Sequence, residues 1–205
     1  MTAATTTDSH LDQAEGRPEG MSMPLLGMVL FIASEVMFFG GLFAAYFNIR
    51  ADADQWPPPG IEHLHSTLPA IFTAVLVLSS VTMHLGVMAI RRGNTKALAR
   101  WVGITLFLGI VFLAGQIYDY STLEFTIRDG VFGSTFYTLT GFHGAHVFGG
   151  AVYLFIVLIR TLSGQFSKAH HAAVEGATMY WHFVDVVWIA LFVTLYLLPG
   201  SGPGH

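Results

Sequence analysis

Cysteine is missing from all 205 residues. Its absence excludes disulfides, thiolate metal sites and cysteine nucleophiles, and it leaves the redox compartment unmarked. Charge is scarce as well. Asp, Glu, Lys and Arg make up 11% of the chain, against about 25% in a soluble domain. That is too little polar surface to coat a water-soluble globule. The nine Lys and Arg residues sit almost entirely between apolar runs and form no basic patch of the kind that binds nucleic acid. The sequence also carries no phosphate loop, no Ser–His–Asp nucleophile arrangement and no haem-attachment motif. Residues 1–20 have few apolar side chains and no basic segment leading into a short apolar core. They read as a disordered polar tail rather than a secretion signal.

What the chain has in abundance is apolar length, with 53% hydrophobic residues. Five stretches reach the roughly 20 residues that a helix needs to cross a bilayer. They lie at about 24–49, 67–90, 97–118, 131–160 and 174–198. The prediction is an all-α, polytopic bundle of five transmembrane helices in one membrane domain, 21–205, with no soluble domain and no internal repeat. Pro24 suits a first helical turn. Trp56-Pro57-Pro58-Pro59-Gly60 forms a loop, because consecutive prolines break a helix. Arg91-Arg92-Gly93-Asn94 ends the second helix and Pro199-Gly200 the fifth. The fourth stretch, about 30 residues long, is expected to tilt or to project from the membrane.

Charge placement predicts orientation. With the N-terminus in the cytoplasm, the inner segments hold Arg17, Arg91, Arg92, Lys96, Arg100, Arg160 and Lys168. The outer segments hold only Arg50 and Arg128. Seven against two is a positive-inside bias, and five spans then put the C-terminus outside.

Ionisable groups inside apolar helices are costly, and each is a functional hypothesis by default. Glu35, Asp185, His84 and the pair His143 and His146 fall in such places, with His182 three residues before Asp185. Helical rise puts Glu35 roughly 16 Å past Pro24, Asp185 roughly 15 Å past Glu175 and His146 roughly 21 Å before Arg160. These groups are expected to share a layer and to pair, which lowers the cost of burying each alone. Four readings stay open. His143, His146, His182, Asp185 and Glu35 could hold a metal inside the bundle, although the Glu-x-x-His pattern of di-iron bundles is missing. His84 could ligate haem with His143 or His146. The acids and histidines could relay protons. They could also simply hydrogen-bond to each other, to backbone or to lipid head groups. Gly40, Gly41, Gly141, Gly144, Gly149 and Gly150 are expected to permit close helix contact. Trp56 and Trp101 lie near the interfaces, as belt residues do.

These same segments carry a family resemblance, from about Gly27 to Leu198. The stretches are 34–39 (SEVMFF), 56–61 (WPPPGI), 125–136 (FTIRDGVFGSTF), 140–147 (TGFHGAHV) and 180–188 (YWHFVDVVW). In this order on five helices they resemble subunit III of haem-copper cytochrome c oxidases, in a short bacterial form. The resemblance implies an accessory subunit without catalytic residues, haem, copper or other metal. It implies a place in the complex that reduces oxygen to water while pumping protons. It implies docking on subunits I and II, which carry the haem and copper, with a small subunit IV or a larger respiratory assembly as further candidate partners. It implies structural phospholipids in a cleft, support of proton uptake and turnover stability in subunit I, and residence in the bacterial cytoplasmic membrane.

Residue by residue, Glu35 matches the family's buried carbodiimide-reactive carboxylate. His146 and Arg160 match positions beside bound lipid, and with Glu35 and Glu175 they make up the lipid-binding candidates. Phe31 matches an aromatic near the proposed oxygen route. Many members have seven helices and this chain lacks the first two, so the cleft is expected to be open or filled from another subunit. Asp119 stands where the family often has Glu. Subunit III of a quinol oxidase is the near alternative. A stand-alone proton or ion transporter is the distant one, for the sequence has neither an inverted repeat nor matching broken helices.

Overall fold

The computed structural model describes residues 22–58 and 66–198. Five helices follow one another: α1 (Met23–Asp52), α2 (Thr67–Arg91), α3 (Thr95–Thr122), α4 (Gly130–Leu162) and α5 (Ala172–Phe192), the last continued by a π-helical turn over Val193–Leu197. Each is long and apolar enough to cross a membrane. The expected tail 1–20 and the stop at Pro199-Gly200 lie outside the described residues.

The helices overrun the apolar stretches at their polar ends. Helix α1 runs on to Asp52 and α3 to Thr122, past 49 and 118. Backbone hydrogen bonding continues through Asp119, Tyr120 and Ser121 because it needs no apolar side chain, whereas hydropathy stops reporting there. Helix α3 begins at Thr95 because Asn94 caps it, its Oδ1 accepting from the Ala97 N–H at 3.0 Å. At α4, 33 residues make a rod of roughly 50 Å, longer than the hydrocarbon core of roughly 30 Å.

Helices α2, α3, α4 and α5 close into a ring in that order, α5 returning to α2, while α1 packs outside on α5 and α4. Transmembrane helices gain little from the hydrophobic effect against each other, so close packing and interhelical hydrogen bonds must hold them. Helix α5 supplies both. Val174, Ala177, Trp181, Val184, Trp188, Leu191 and Leu195 recur at alternating three- and four-residue steps and are all buried. This is the seam that knobs-into-holes packing requires.

Two tryptophans on that seam tie the ring together. The Trp181 Nε1–H donates to Ser79 Oγ of α2 at 2.8 Å. A Cβ added at Gly109 of α3 would come within 2.6 Å of its ring, and one at Gly150 of α4 within 2.9 Å. One turn-pair further, the Trp188 Nε1–H donates to Thr73 Oγ1 of α2 at 2.9 Å. The Trp188 ring meets Phe112 of α3 and His143 of α4, with centroids at 4.8 and 4.9 Å. Of the glycines expected to favour close contact, Gly144 and Gly150 do so. Gly149 is looser, and a Cβ at Gly40, Gly41 or Gly141 would meet nothing within 4 Å. The tight positions at Gly109 and Gly115 come instead from the rings of Trp181 and Phe72, and that at Gly133 from the Thr126 backbone carbonyl, partners that sequence alone does not pair with them.

The parity of five spans brings the ends of α2 and α4 and the starts of α3 and α5 to one side. Arg91 of α2 pairs there with Glu175 of α5 at 2.8 Å. At the opposite end the Trp56 Nε1–H donates to Tyr46 Oη at 3.0 Å, and Tyr46 donates to the Thr194 carbonyl at 3.4 Å. The loop after α1 is thus tied to the π-helical turn.

Candidate functional site

The polar groups singled out in the sequence separate into three sets. The first lies where α1 meets α4. Glu35 Oε2 stands 2.9 Å from His146 Nε2, and both side chains are largely covered, at 20% and 16% exposure. His146 Nδ1 lies 2.6 Å from the Phe142 carbonyl. A carbonyl only accepts, so Nδ1 carries a hydrogen and donates. One further proton then lies between Nε2 and Oε2. Placed on the ring it makes an ion pair, and placed on the carboxyl it makes a neutral pair. The net charge is zero either way, which is the form that apolar surroundings tolerate.

Aromatic rings enclose this pair. Phe39 meets the His146 ring edge-on at 4.9 Å and Phe38 stacks at 6.2 Å. Tyr180 Oη donates to the His146 carbonyl at 3.0 Å. Phe31, one turn before Glu35 and half exposed, stacks on Tyr180 at 6.1 Å. The sequence placed Glu35, His146 and Phe31 as candidates but gave no sign of Tyr180 as the link between them.

The second set lies between α2 and α5. Ser80 Oγ donates to Asp185 Oδ2 and stands 2.9 Å from His182 Nδ1. The hydroxyl has one proton and gives it to the carboxylate, so His182 Nδ1 carries its own hydrogen and donates to Ser80. The second Asp185 oxygen, Oδ1, is buried with no hydrogen-bond partner among the described residues. The third set is His143 alone. It is fully buried against Phe112 and Trp188, and neither ring nitrogen has a partner among the described residues.

The expectation of one shared layer of pairing groups therefore divides. Glu35 joins His146, and Asp185 joins His182 through a serine the sequence reading passed over. His143 and His146, three residues apart, turn to different neighbours. Among the described residues no three of His, Cys, Asp and Glu gather as metal ligands would. His84 is exposed on α2, and no hydrogen bond joins it to His143 or His146.

The remaining candidates sit at the end that carries Arg91. Glu175 takes both the Arg91 ion pair and His171 Nε2 at 3.4 Å. The Arg160 Nε–H donates to Gln165 Oε1 at 3.0 Å, and its guanidinium lies over the Phe166 ring at 4.8 Å. Gln165 and Phe166 hold that arginine, and no periodic signal pointed to them.

Comparison with known proteins gives one consistent answer. Residues 16–199 match the family model described as cytochrome c oxidase subunit III. The chain is 43% identical over 196 residues to cytochrome c oxidase subunit 3 of Synechocystis, covering 95% of this chain and 83% of the relative. It is 42% identical over 189 residues to the protein of the same name from Thermostichus vulcanus, covering 92% of each. A probable cytochrome c oxidase subunit 3 of Nocardia farcinica is 43% identical over 201 residues, covering 96% of this chain and 98% of the relative.

Proposed function

The chain belongs to the cytochrome c oxidase subunit III family, and from that premise we propose that it serves the oxidase by architecture, without redox chemistry of its own. It is a multi-pass membrane subunit of a respiratory oxidase complex, and the names of its relatives do not favour the quinol oxidase alternative. Its partners in this reading are subunits I and II, which hold the haem and copper. Its place is the bacterial cytoplasmic membrane, N-terminus inside. The basic end formed by Arg91, Arg92, Lys96, Arg100, Arg160 and Lys168 supports that orientation. Single cysteines at Ala169 and Ala53 test it. The first is labelled only from the cytoplasmic side and the second only from outside, and exchange of the two sides refutes it.

The observation that carries the functional reading is the Glu35–His146 pair. Helix α1 has only Phe39 and Tyr46 fully buried among its 30 residues, so little else fixes it to the ring. An aromatic-walled pair of zero net charge at its middle pins α1 to α4 and keeps a cleft for phospholipid beside it. Arg160 and Glu175 offer charges to head groups at the basic end. The pair supports subunit I by holding this lipid-lined surface in shape and need not pass protons.

Two variants separate shape from titration. Glu35→Gln keeps the size and gives an amide that can donate to His146 Nε2. Oxygen reduction, proton pumping and lifetime in turnover stay near wild type. Glu35→Ala removes the partner, and the enzyme inactivates faster while turning over. Loss of pumping in Glu35→Gln, with lipid content and assembly unchanged, makes Glu35 a proton carrier and overturns the structural reading.

A further inference from the structure

Away from Glu35 and His146, the turn between α2 and α3 builds a second binding feature. Gly93, with φ of +77°, ends α2. Its N–H donates to the Ile90 carbonyl at 2.8 Å, and the Asn94 N–H to the Ala89 carbonyl at 2.9 Å. This double closure is the Schellman motif, which only glycine enters without steric cost. Asn94 then caps α3. Its Oδ1 is occupied by the Ala97 N–H, which leaves the amide NH2 group free to donate. The turn is therefore a fixed frame.

Beside it lies a cavity of about 390 Å³, with Leu85 and Met88 of α2, Arg92 and Asn94 of the turn, and Trp101 of α3 in its wall. The volume is within the range of about 300–1,000 Å³ usual for ligand pockets. The Arg100 guanidinium sits over the Trp101 ring at 5.4 Å from its centroid. Residues 85–101 contain Arg91, Arg92, Lys96 and Arg100 and no Asp or Glu. Arg91 is committed to Glu175 on α5. The ion pairs among the described residues do not involve Arg92, Lys96 or Arg100. Below the cavity the wall is apolar and uncovered, with Val81 52% and Ile104 37% exposed about one turn from Leu85 and Trp101.

We propose that this cavity is a binding site for an anionic phospholipid, with the phosphate held by Arg92, Asn94 and Arg100 and an acyl chain lying along Leu85, Met88 and Trp101. The charges call for an anion. The apolar wall continuing away from them calls for an amphiphile rather than free phosphate. The tryptophan marks the level where head groups sit. Basic pockets between transmembrane helices bind anionic head groups for this reason. The site is distinct from the cleft beside Glu35, since it uses only α2, α3 and their turn.

The test uses the whole oxidase complex, delipidated in detergent and reconstituted into phosphatidylcholine vesicles. The vesicles carry a minor share of brominated phosphatidylglycerol or, separately, brominated phosphatidylcholine. Bromine quenches tryptophan on contact, and subtracting the Trp101→Phe complex isolates the Trp101 signal. The proposal expects strong quenching by the brominated phosphatidylglycerol and weak quenching by the brominated phosphatidylcholine. At about 1 kcal/mol per basic residue, each of Arg92→Gln and Arg100→Gln lowers that preference about fivefold, and the two together about thirtyfold. Arg92→Lys keeps the charge and most of the preference. Should the double variant not assemble, the wild-type comparison of the two lipids decides alone. Equal quenching by both lipids refutes the site. So does absence of quenching by either, the outcome expected if a helix of another subunit fills the groove.

Discussion

Helices α1 and α5 cross the same bilayer by opposite means. Eleven of the 21 residues of α5 are buried, and they touch α2, α3 and α4 through Trp181 and Trp188. Helix α1 is longer, at 30 residues, and buries two. Its link to α4 at mid-helix is a polar pair. In hydrocarbon, where apolar side chains gain little by leaving lipid for each other, the difference decides what each helix can do. The ring around α5 is held by shape and indole hydrogen bonds, so it carries the fold. The α1 edge is held by chemistry that can be altered without dismantling the ring, which suits it to the lipid-holding role proposed above.

The strongest way to break that contrast is Trp181→Ala. Truncation of a buried tryptophan costs about 3–5 kcal/mol, and here it removes the group that meets α2, α3 and α4 together. Thermal unfolding of the solubilised complex should show this subunit lost well below the wild-type temperature. Gly109→Val attacks the same contact from α3, since its Cβ alone would stand 2.6 Å from the Trp181 ring. Overpacking of this kind costs about 1–3 kcal/mol, seen in the same melting experiment.

A smaller effect is expected from Ser80→Ala, which removes the donor to Asp185 and the acceptor for His182. Interhelical hydrogen bonds in membranes contribute about 0.6–1.7 kcal/mol. The variant should melt a few degrees early and keep its place in the complex. Ser80→Thr, which retains the hydroxyl, should recover part of the loss.

The smallest effect sharpens the contrast by lying outside both helices. Asp129, in the turn before α4, accepts from the Thr126 N–H at 2.5 Å and from the Thr126 hydroxyl at 2.9 Å. The backbone N–H first, then the hydroxyl, hold its carboxyl below the usual carboxylate range. The folded pKa is thus lower than the unfolded value of about 3.9. The stabilisation is complete above that unfolded value and disappears as pH falls through the folded one. Melting of wild type and Asp129→Asn should differ by a small constant amount at neutral pH and converge in acid.

Much of this contrast was legible in the sequence. Apolar length fixed the number of helices. Glu35 and His146 stood out because ionisable groups in apolar helices are rare. Ser79, Ser80 and Thr73 did not, because a hydroxyl in a transmembrane helix ordinarily bonds to its own backbone. Ser79 and Thr73 do bond there, to Leu76 and Pro69, while also receiving an indole N–H. The glycines misled for a related reason. Gly40 and Gly41 look like a contact motif, yet α1 turns them to open space. Gly109 and Gly115 look ordinary, yet rings of Trp181 and Phe72 lie against them. A glycine is made tight by its partner, and partners are assigned only by the fold.

The most direct test of the division between ring and edge crosses two variants with two measurements on the purified oxidase. Trp181→Ala and Glu35→Ala are each followed by melting temperature and by catalytic lifetime during sustained turnover. The account predicts that Trp181→Ala lowers the melting temperature strongly. It predicts that Glu35→Ala leaves melting near wild type and shortens the lifetime. A fall in melting temperature for Glu35→Ala as large as that for Trp181→Ala, or an unchanged lifetime, would contradict it.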